Sequence, residues 1–252
     1  MNSPAAFGSF LVRCFFLPGV AALLAGCPVY SKVTTSTSTG ASVMVTTDSL
    51  TALIWPGPAM VTGSAKPATE TRAVGAFSKI KVDGDEDVEV GIGPATAVTV
   101  TTDDNVLPAI ETTVEGDTLH IRPRQSFRST LGVKIKITTP ALESVDVSGA
   151  CDLRTNGLDA AAFALDISGC AHAHLDGKSA ALDVRLSGAG GVEASALTAK
   201  RVKIDVSGVA NAEVCATESL DATISGVGVV HYRGNPPEVS KNVSGIGSIQ
   251  EE

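Results

Sequence analysis

The dipeptide Ser-Gly recurs six times in the second half of this 252-residue chain, at Ser148, Ser168, Ser187, Ser207, Ser225 and Ser244, with spacings of 20, 19, 20, 18 and 19 residues. The residues around it repeat as well. One position before each Ser stand Val147, Ile167, Leu186, Val206, Ile224 and Val243. Three before stand Val145, Leu165, Val184, Ile204, Ala222 and Lys241, apolar until the last copy. Between them lie Asp146, Asp166, Arg185, Asp205, Thr223 and Asn242, all polar. Alternation at period two is the mark of a strand with one face in and one face out. After each Ser the pattern continues. The third position on is small in every copy (Cys151, Ala171, Gly190, Ala210, Gly228, Gly247), the fifth is apolar and the sixth is polar.

A unit of this length, made of short strands without a helix, cannot bury its apolar face alone. Copies must stack, each strand pairing with its equivalent one coil away at about 4.8 Å. The spacing therefore predicts an all-β fold, a parallel β-helix or β-solenoid of about 19-residue coils, right-handed by the crossover rule. The Gly after each Ser and the small column mark corners, where Ser hydroxyls are placed to hydrogen-bond along the ladder. The last copy, with Lys241 at an inward position and Glu251-Glu252 behind it, reads as a cap against edge-to-edge pairing. A degenerate copy precedes the six: Ile80, Val82, Gly84, Val88 and Glu89 fit the columns, with Asp83 in the Ser position and Glu86 breaking the small column. Residues 77–140 otherwise read as irregular alternating strands, with a hairpin turn at Glu115-Gly116-Asp117 and one helical turn around NVLPAI. Composition agrees with this: 44% of residues are apolar, only 4% are aromatic, and there are 25 glycines.

The N-terminal third is of another kind. An apolar run, CFFLPGVAALLAG, ends at Cys27 after a single positive charge, Arg13. Its length suits an export signal and falls short of a membrane span. Leu24-Ala25-Gly26-Cys27 resembles the lipobox of bacterial lipoproteins, which implies a signal peptide over 1–26, lipid on Cys27 and, with Pro28 next, an outer-membrane location. Residues 27–70, rich in Ser, Thr and Pro, read as a tether, in which VMVTTDSLTALIW is placed to form a short strand pair. The domain proper is then 71–252, with irregular strands over 77–140 and the six repeats over 142–250. Of five cysteines, Cys14 leaves with the signal and Cys27 carries lipid. Cys151, Cys170 and Cys215 remain, an odd number that implies no disulfide framework. Cys151 and Cys170 fall in different columns of adjacent coils.

Several stretches resemble a known family. FSKIKVDGDEDVEV, TTDDNVLPAIETTVEGDTLHI and VKIKITTPALESVDVSGACDL, followed by Ser-Gly repeats, are similar in that order to the putative auto-transporter adhesin, head GIN domain family, over roughly residues 71–250. The resemblance implies a right-handed β-helix-like fold and an exported location, and carries no catalytic residues over to this chain.

For the exported part, eighteen basic residues stand against 27 acidic ones, net −9, so nucleic acid is not an expected partner. Asp83, Asp85 and Asp87 alternate like a calcium loop, but Val88 and Pro94 occupy the positions where that loop needs Gly and Glu, so a solvated strand edge is expected. His172 and His174 lie on outward columns. His231 shares the column of His174 three coils away, roughly 14 Å by strand spacing, so no metal site and no cofactor are expected. The column Asp146, Asp166, Arg185, Asp205 is the one candidate binding column. Acids beside an Arg on a β-helix face are also what a polysaccharide-cleaving enzyme of this shape would use, yet the repeats leave no room for the loops that build a substrate groove. The expectation is a non-enzymatic envelope protein held to the membrane through Cys27, binding a protein, a glycan or its own kind. A carbohydrate-active enzyme and an oligomerising stalk are the alternatives. A flat ladder would favour the binder, and a groove with converging acids and an Arg the enzyme.

Overall fold

The computed structural model describes residues 60–252 together with two short strands, Ser42–Met44 and Leu53–Trp55. The segment 1–26, Cys27 and most of the tether lie outside the described residues. The chain divides into two compact units, Met1–Gly57 and Pro58–Glu252. In the first, Ser42–Met44 and Leu53–Trp55 pair antiparallel, the strand pair expected within VMVTTDSLTALIW.

The second unit is a parallel β-solenoid. Ser144–Val147 pairs in parallel with Phe163–Ile167, and this strand with the end of Cys170–Leu186, in the register of the sequence columns: Val145, Leu165 and Val184 in one rung-to-rung line, Asp146, Asp166 and Arg185 in the next. Ala189–Val206, Val209–Ile224 and Glu238–Val243 continue the stack. After the Ser-Gly corner the chain enters a second ladder, in which Leu153, Ala173, Val192, Ala212, Val230 and Ile249 align. Side chains at the inward columns are buried from Val145 to Ala222 and from Val147 to Ile224. Each Val, Leu or Ile so removed from water contributes about 1.5–3 kcal/mol, and every coil covers the apolar edge of its neighbour.

The degenerate copy belongs to the same stack. Ile80 pairs with Val145, Val82 with Val147, Val88 with Leu153 and Glu89 with Arg154. Below it lie Thr118–Pro123, parallel to Lys79–Val82, and Lys134–Thr139, parallel to Asp85–Ile92. The direction then reverses: Ile110–Glu115 closes one edge as a hairpin through Gly116 (φ +64°), and Ala97–Asp103 with Pro67–Arg72 closes the other. Leu107–Ala109 is the one-turn helix, of 3-10 type.

One expectation is corrected. The domain begins before residue 71, because Val61–Thr62 pairs with Phe127–Arg128 and Pro67–Arg72 is an edge strand. Asp103 fastens this segment: its buried carboxylate accepts the N–H of Ala65 at 2.6 Å, the hydroxyl of Ser129 at 2.7 Å and the N–H of Thr130 at 2.9 Å. The Ser129 hydroxyl, then these N–H groups, hold that carboxyl below its ordinary range. The repeat Ser hydroxyls hydrogen-bond along the ladder, to backbone carbonyls. Ser168 and Ser187 donate to the carbonyls of Val147 and Ile167 one coil below, at 3.3 and 3.4 Å. Those carbonyls also accept the Ser N–H, at 2.9 Å in both cases, so the corner converges on a backbone acceptor.

At the far end, Lys241 occupies its inward column and spares its charge by leaning over the Tyr232 ring, 4.6 Å from the centroid, and donating to the carbonyl of Ile249 at 3.3 Å.

Candidate functional site

Asp146, Asp166, Arg185 and Asp205 stand on consecutive rungs of one outward face, as the column predicts. They do not converge. Three rungs of about 4.8 Å separate the first from the last, and each side chain leaves the sheet in the same direction. Arg185 donates from Nη2 to Asp183 on its own strand, at 2.8 Å, instead of to the acids above and below it. Asp146 has Lys81 beneath it at 3.6 Å. This is a flat ladder in which Asp146 and Arg185 are paired locally, and exposed ion pairs of this kind contribute about 1 kcal/mol or less.

The concave ground lies past the Ser-Gly corner, on the second ladder. There two outward columns run side by side: Asp87, Asp152, His172, Gly191 and Asn211, and Glu89, Arg154, His174, Glu193 and Glu213. Gly191 lacks a side chain between His172 and Asn211, and the His172 ring lies 3.4 Å from where its Cβ would be. A depression of about 560 Å³ results, floored by Gly190 and Gly191 and walled by Asp152, Arg154, His172 and Glu193. A second, of about 490 Å³, shares Asp152 and Arg154 and extends to Asp87, Lys134 and Lys136. Sequence reasoning gave this face its polar columns and histidines but not its hollow. Its signal was Gly191 in a column that is polar from Asp152 to Asn211.

The histidines take separate partners: Nδ1 of His174 lies 3.3 Å from Glu193, and Nδ1 of His231 lies 3.1 Å from Glu252. Among the described residues no three His, Cys, Asp or Glu side chains are grouped to hold a metal ion. Asp83 accepts the Ser148 hydroxyl at 2.5 Å at the corner, while Asp85 and Asp87 point outward to solvent from a strand that is paired on both sides and so is not the expected edge. Cys151 is buried, Cys170 exposed and Cys215 half-buried, all as free thiols. Burial, and then the charge of Glu86, pushes the Cys151 thiol up to about 12, so it is inert.

A further outward column is apolar. Two residues after each Ser stand Ala150, Cys170, Ala189, Val209, Val227 and Ile246, all apolar and all exposed.

Known proteins place this architecture. The chain spans the whole of a solved putative adhesin from Bacteroides fragilis NCTC 9343, 24% identical over 76% of this chain, with a TM-score of 0.64. A putative adhesin from Parabacteroides merdae ATCC 43184 is 21% identical over 77% of this chain and 99% of its own, with a TM-score of 0.51. At such identity the likeness is one of fold. No curated protein matches. The model of the family described as putative auto-transporter adhesin, head GIN domain, matches residues 76–236, the degenerate coil and most of the Ser-Gly repeats included, and the chain belongs to that family.

Proposed function

We propose that the chain is a non-enzymatic protein of the bacterial envelope, exported, anchored in the outer membrane by lipid on Cys27, and presenting its solenoid for adhesion, binding or scaffolding. One observation carries this reading: the polar side chains stand in ladders a rung apart and diverge from the sheet, whereas bond cleavage needs a nucleophile or base, its orienting partner and a charge stabiliser converging on one atom. Arg185, the one cation of the acidic column, is held by Asp183. The depression shared by Asp152 and Arg154 offers carboxylates, a guanidinium, imidazoles and an amide to a glycan or a protein loop. Family membership supports adhesion, and the lipobox supports the anchor.

The test is intact mass and cell fractionation of the protein beside its Cys27→Ala variant. The native chain is expected to carry lipid mass at Cys27 and to follow the outer membrane, and the variant is expected to do neither. An unlipidated, soluble native chain sinks the anchored reading. The enzyme reading is tested separately by replacing Asp166 and Arg185 with Ala. Both are surface residues, so the fold and unfolding midpoint should stay within about 0.5 kcal/mol of the native protein, and binding of acidic polysaccharides should yield no cleavage in either form. Cleavage by the native chain that the double variant lacks would restore the enzyme.

A further inference from the structure

The apolar column beside the Ser-Gly corner has no partner among the described residues. Ala150, Cys170, Ala189, Val209, Val227 and Ile246 align rung to rung. Val209, Val227 and Ile246 are 60%, 43% and 74% exposed, among the most exposed large apolar residues of the domain. Six rungs about 4.8 Å apart make a ridge roughly 24 Å long, and the Gly column next to it forms a trough. A straight apolar strip of this length marks an interaction surface.

We propose that this ridge is the contact between two copies of the chain, packed antiparallel about a two-fold axis between the rungs of Ala189 and Val209. The pairing follows from size. Along the ridge the side chains grow from Ala150 to Ile246. Antiparallel packing sets Ala150 against the partner's Ile246, Cys170 against the partner's Val227 and Ala189 against the partner's Val209, so every small residue faces a large one. Parallel packing would leave a gap between the alanines and a collision between the isoleucines. Charge agrees with size. The same axis lies between the rungs of Arg185 and Asp205, which are neighbours in their column. It brings each Arg185 opposite the partner's Asp205, and a two-fold contact counts that pairing twice. A ridge with one side chain per rung also has the period of another such ridge, which a lipid surface does not. Flanked by three acids, Asp146, Asp166 and Asp205, and a single base, Arg185, it has neither the basic excess nor the aromatic residues that hold a helix or strand at a membrane interface. A contact this narrow lies at the low end of specific interfaces, so the dimer is weak and forms at high local concentration. The inference does not depend on the lipid at Cys27.

The test uses the full chain carrying Cys27→Ala and Val227→Cys, oxidised with copper phenanthroline in air. Within one chain Cys170 and position 227 are three rungs apart, about 14 Å, too far for a disulfide. Across the two-fold they face each other. Two thiols on each side give up their protons and electrons to the oxidant, and a dimer with two identical disulfides is expected, mapped by peptide mass to Cys170 and position 227. Adding Val209→Asp, a change at an exposed site that leaves the circular dichroism spectrum unaltered, is expected to cut dimer yield at least tenfold. Sedimentation of the chain without the Val227→Cys change should show concentration-dependent association that Val209→Asp abolishes. Exclusive Cys170–Cys170 linkage, a monomer at all concentrations, or association indifferent to Val209→Asp overturns the proposal. So does a chain that is monomeric alone yet sediments with phosphatidylethanolamine–phosphatidylglycerol vesicles through the same residues, which would make lipid the occupant.

Discussion

Replacing Gly169 by alanine is expected to cost the domain roughly 3 kcal/mol or more, a large share of the stability of a fold this size. The reason is a stack of backbones without room for a methyl group. A Cβ on Gly169 would lie 1.9 Å from the carbonyl oxygen of Gly149, and one on Gly188 would lie 1.8 Å from that of Gly169. The line starts at Gly84 and runs through Gly149, Gly169, Gly188, Gly208, Gly226 and Gly245, each after the first meeting the glycine one coil below. The obstacle is backbone, pinned by the ladder: the N–H of Cys170 donates to the carbonyl of Gly149 at 3.0 Å, and that of Ala189 to the carbonyl of Gly169, also at 3.0 Å. The methyl can be admitted only by opening the coil spacing, which breaks hydrogen bonds on both sides, and solenoid stability is a sum of such interfaces. Gly75→Ala is the control, since its Cβ would meet nothing within 4 Å. It should shift the urea midpoint by the equivalent of about 0.5 kcal/mol at most. Equal costs at the two positions would show that the corner yields, and that the glycine column has another origin.

That column shows what a sequence reveals and what it hides. The six copies were legible because stacking forces equivalent residues onto one line, so period, inward face and polar face follow from spacing alone. Even the degenerate coil fell into register, with Asp83 beside Ser148 where a Ser was missing. The clash that demands glycine was not legible, for it lies between coils. Nor was the strand Pro67–Arg72. Its side chains are mostly exposed on a sheet edge, so PATETR carries no apolar alternation and reads as linker. The polar column was placed on the right face, but reading down columns conceals pairs along a strand, and Arg185 spends its charge on Asp183. The apolar ridge could have been read from the second position after each Ser. It was overlooked because apolar columns suggest core, and this one faces solvent.

Glu86 is the residue that breaks the small column in the sequence, and the structure makes it the second large effect. It stands at the head of the small inward column, paired with Cys151, and is 2% exposed with neither carboxyl oxygen hydrogen-bonded. Its carboxyl lies over Gly84, whose Cβ would come 2.0 Å from Oε1. Burial, then the charges of Asp85 and Asp83, raises it from 4.5 to about 7. The folded protein therefore holds this proton more tightly than the unfolded chain. Its stability from this group is whole below pH 4.5 and is lost as pH rises through 7, by on the order of 3 kcal/mol at 1.36 kcal/mol per unit. Glu86→Gln keeps the shape and removes the titration. Urea unfolding at pH 5 and pH 8 should show the native domain losing stability across that interval and the variant losing less by about that amount, with the variant the more stable of the two at pH 8. If both lose the same stability, the carboxyl is solvated or paired in solution, and the small column begins at Cys151 with Glu86 turned outward.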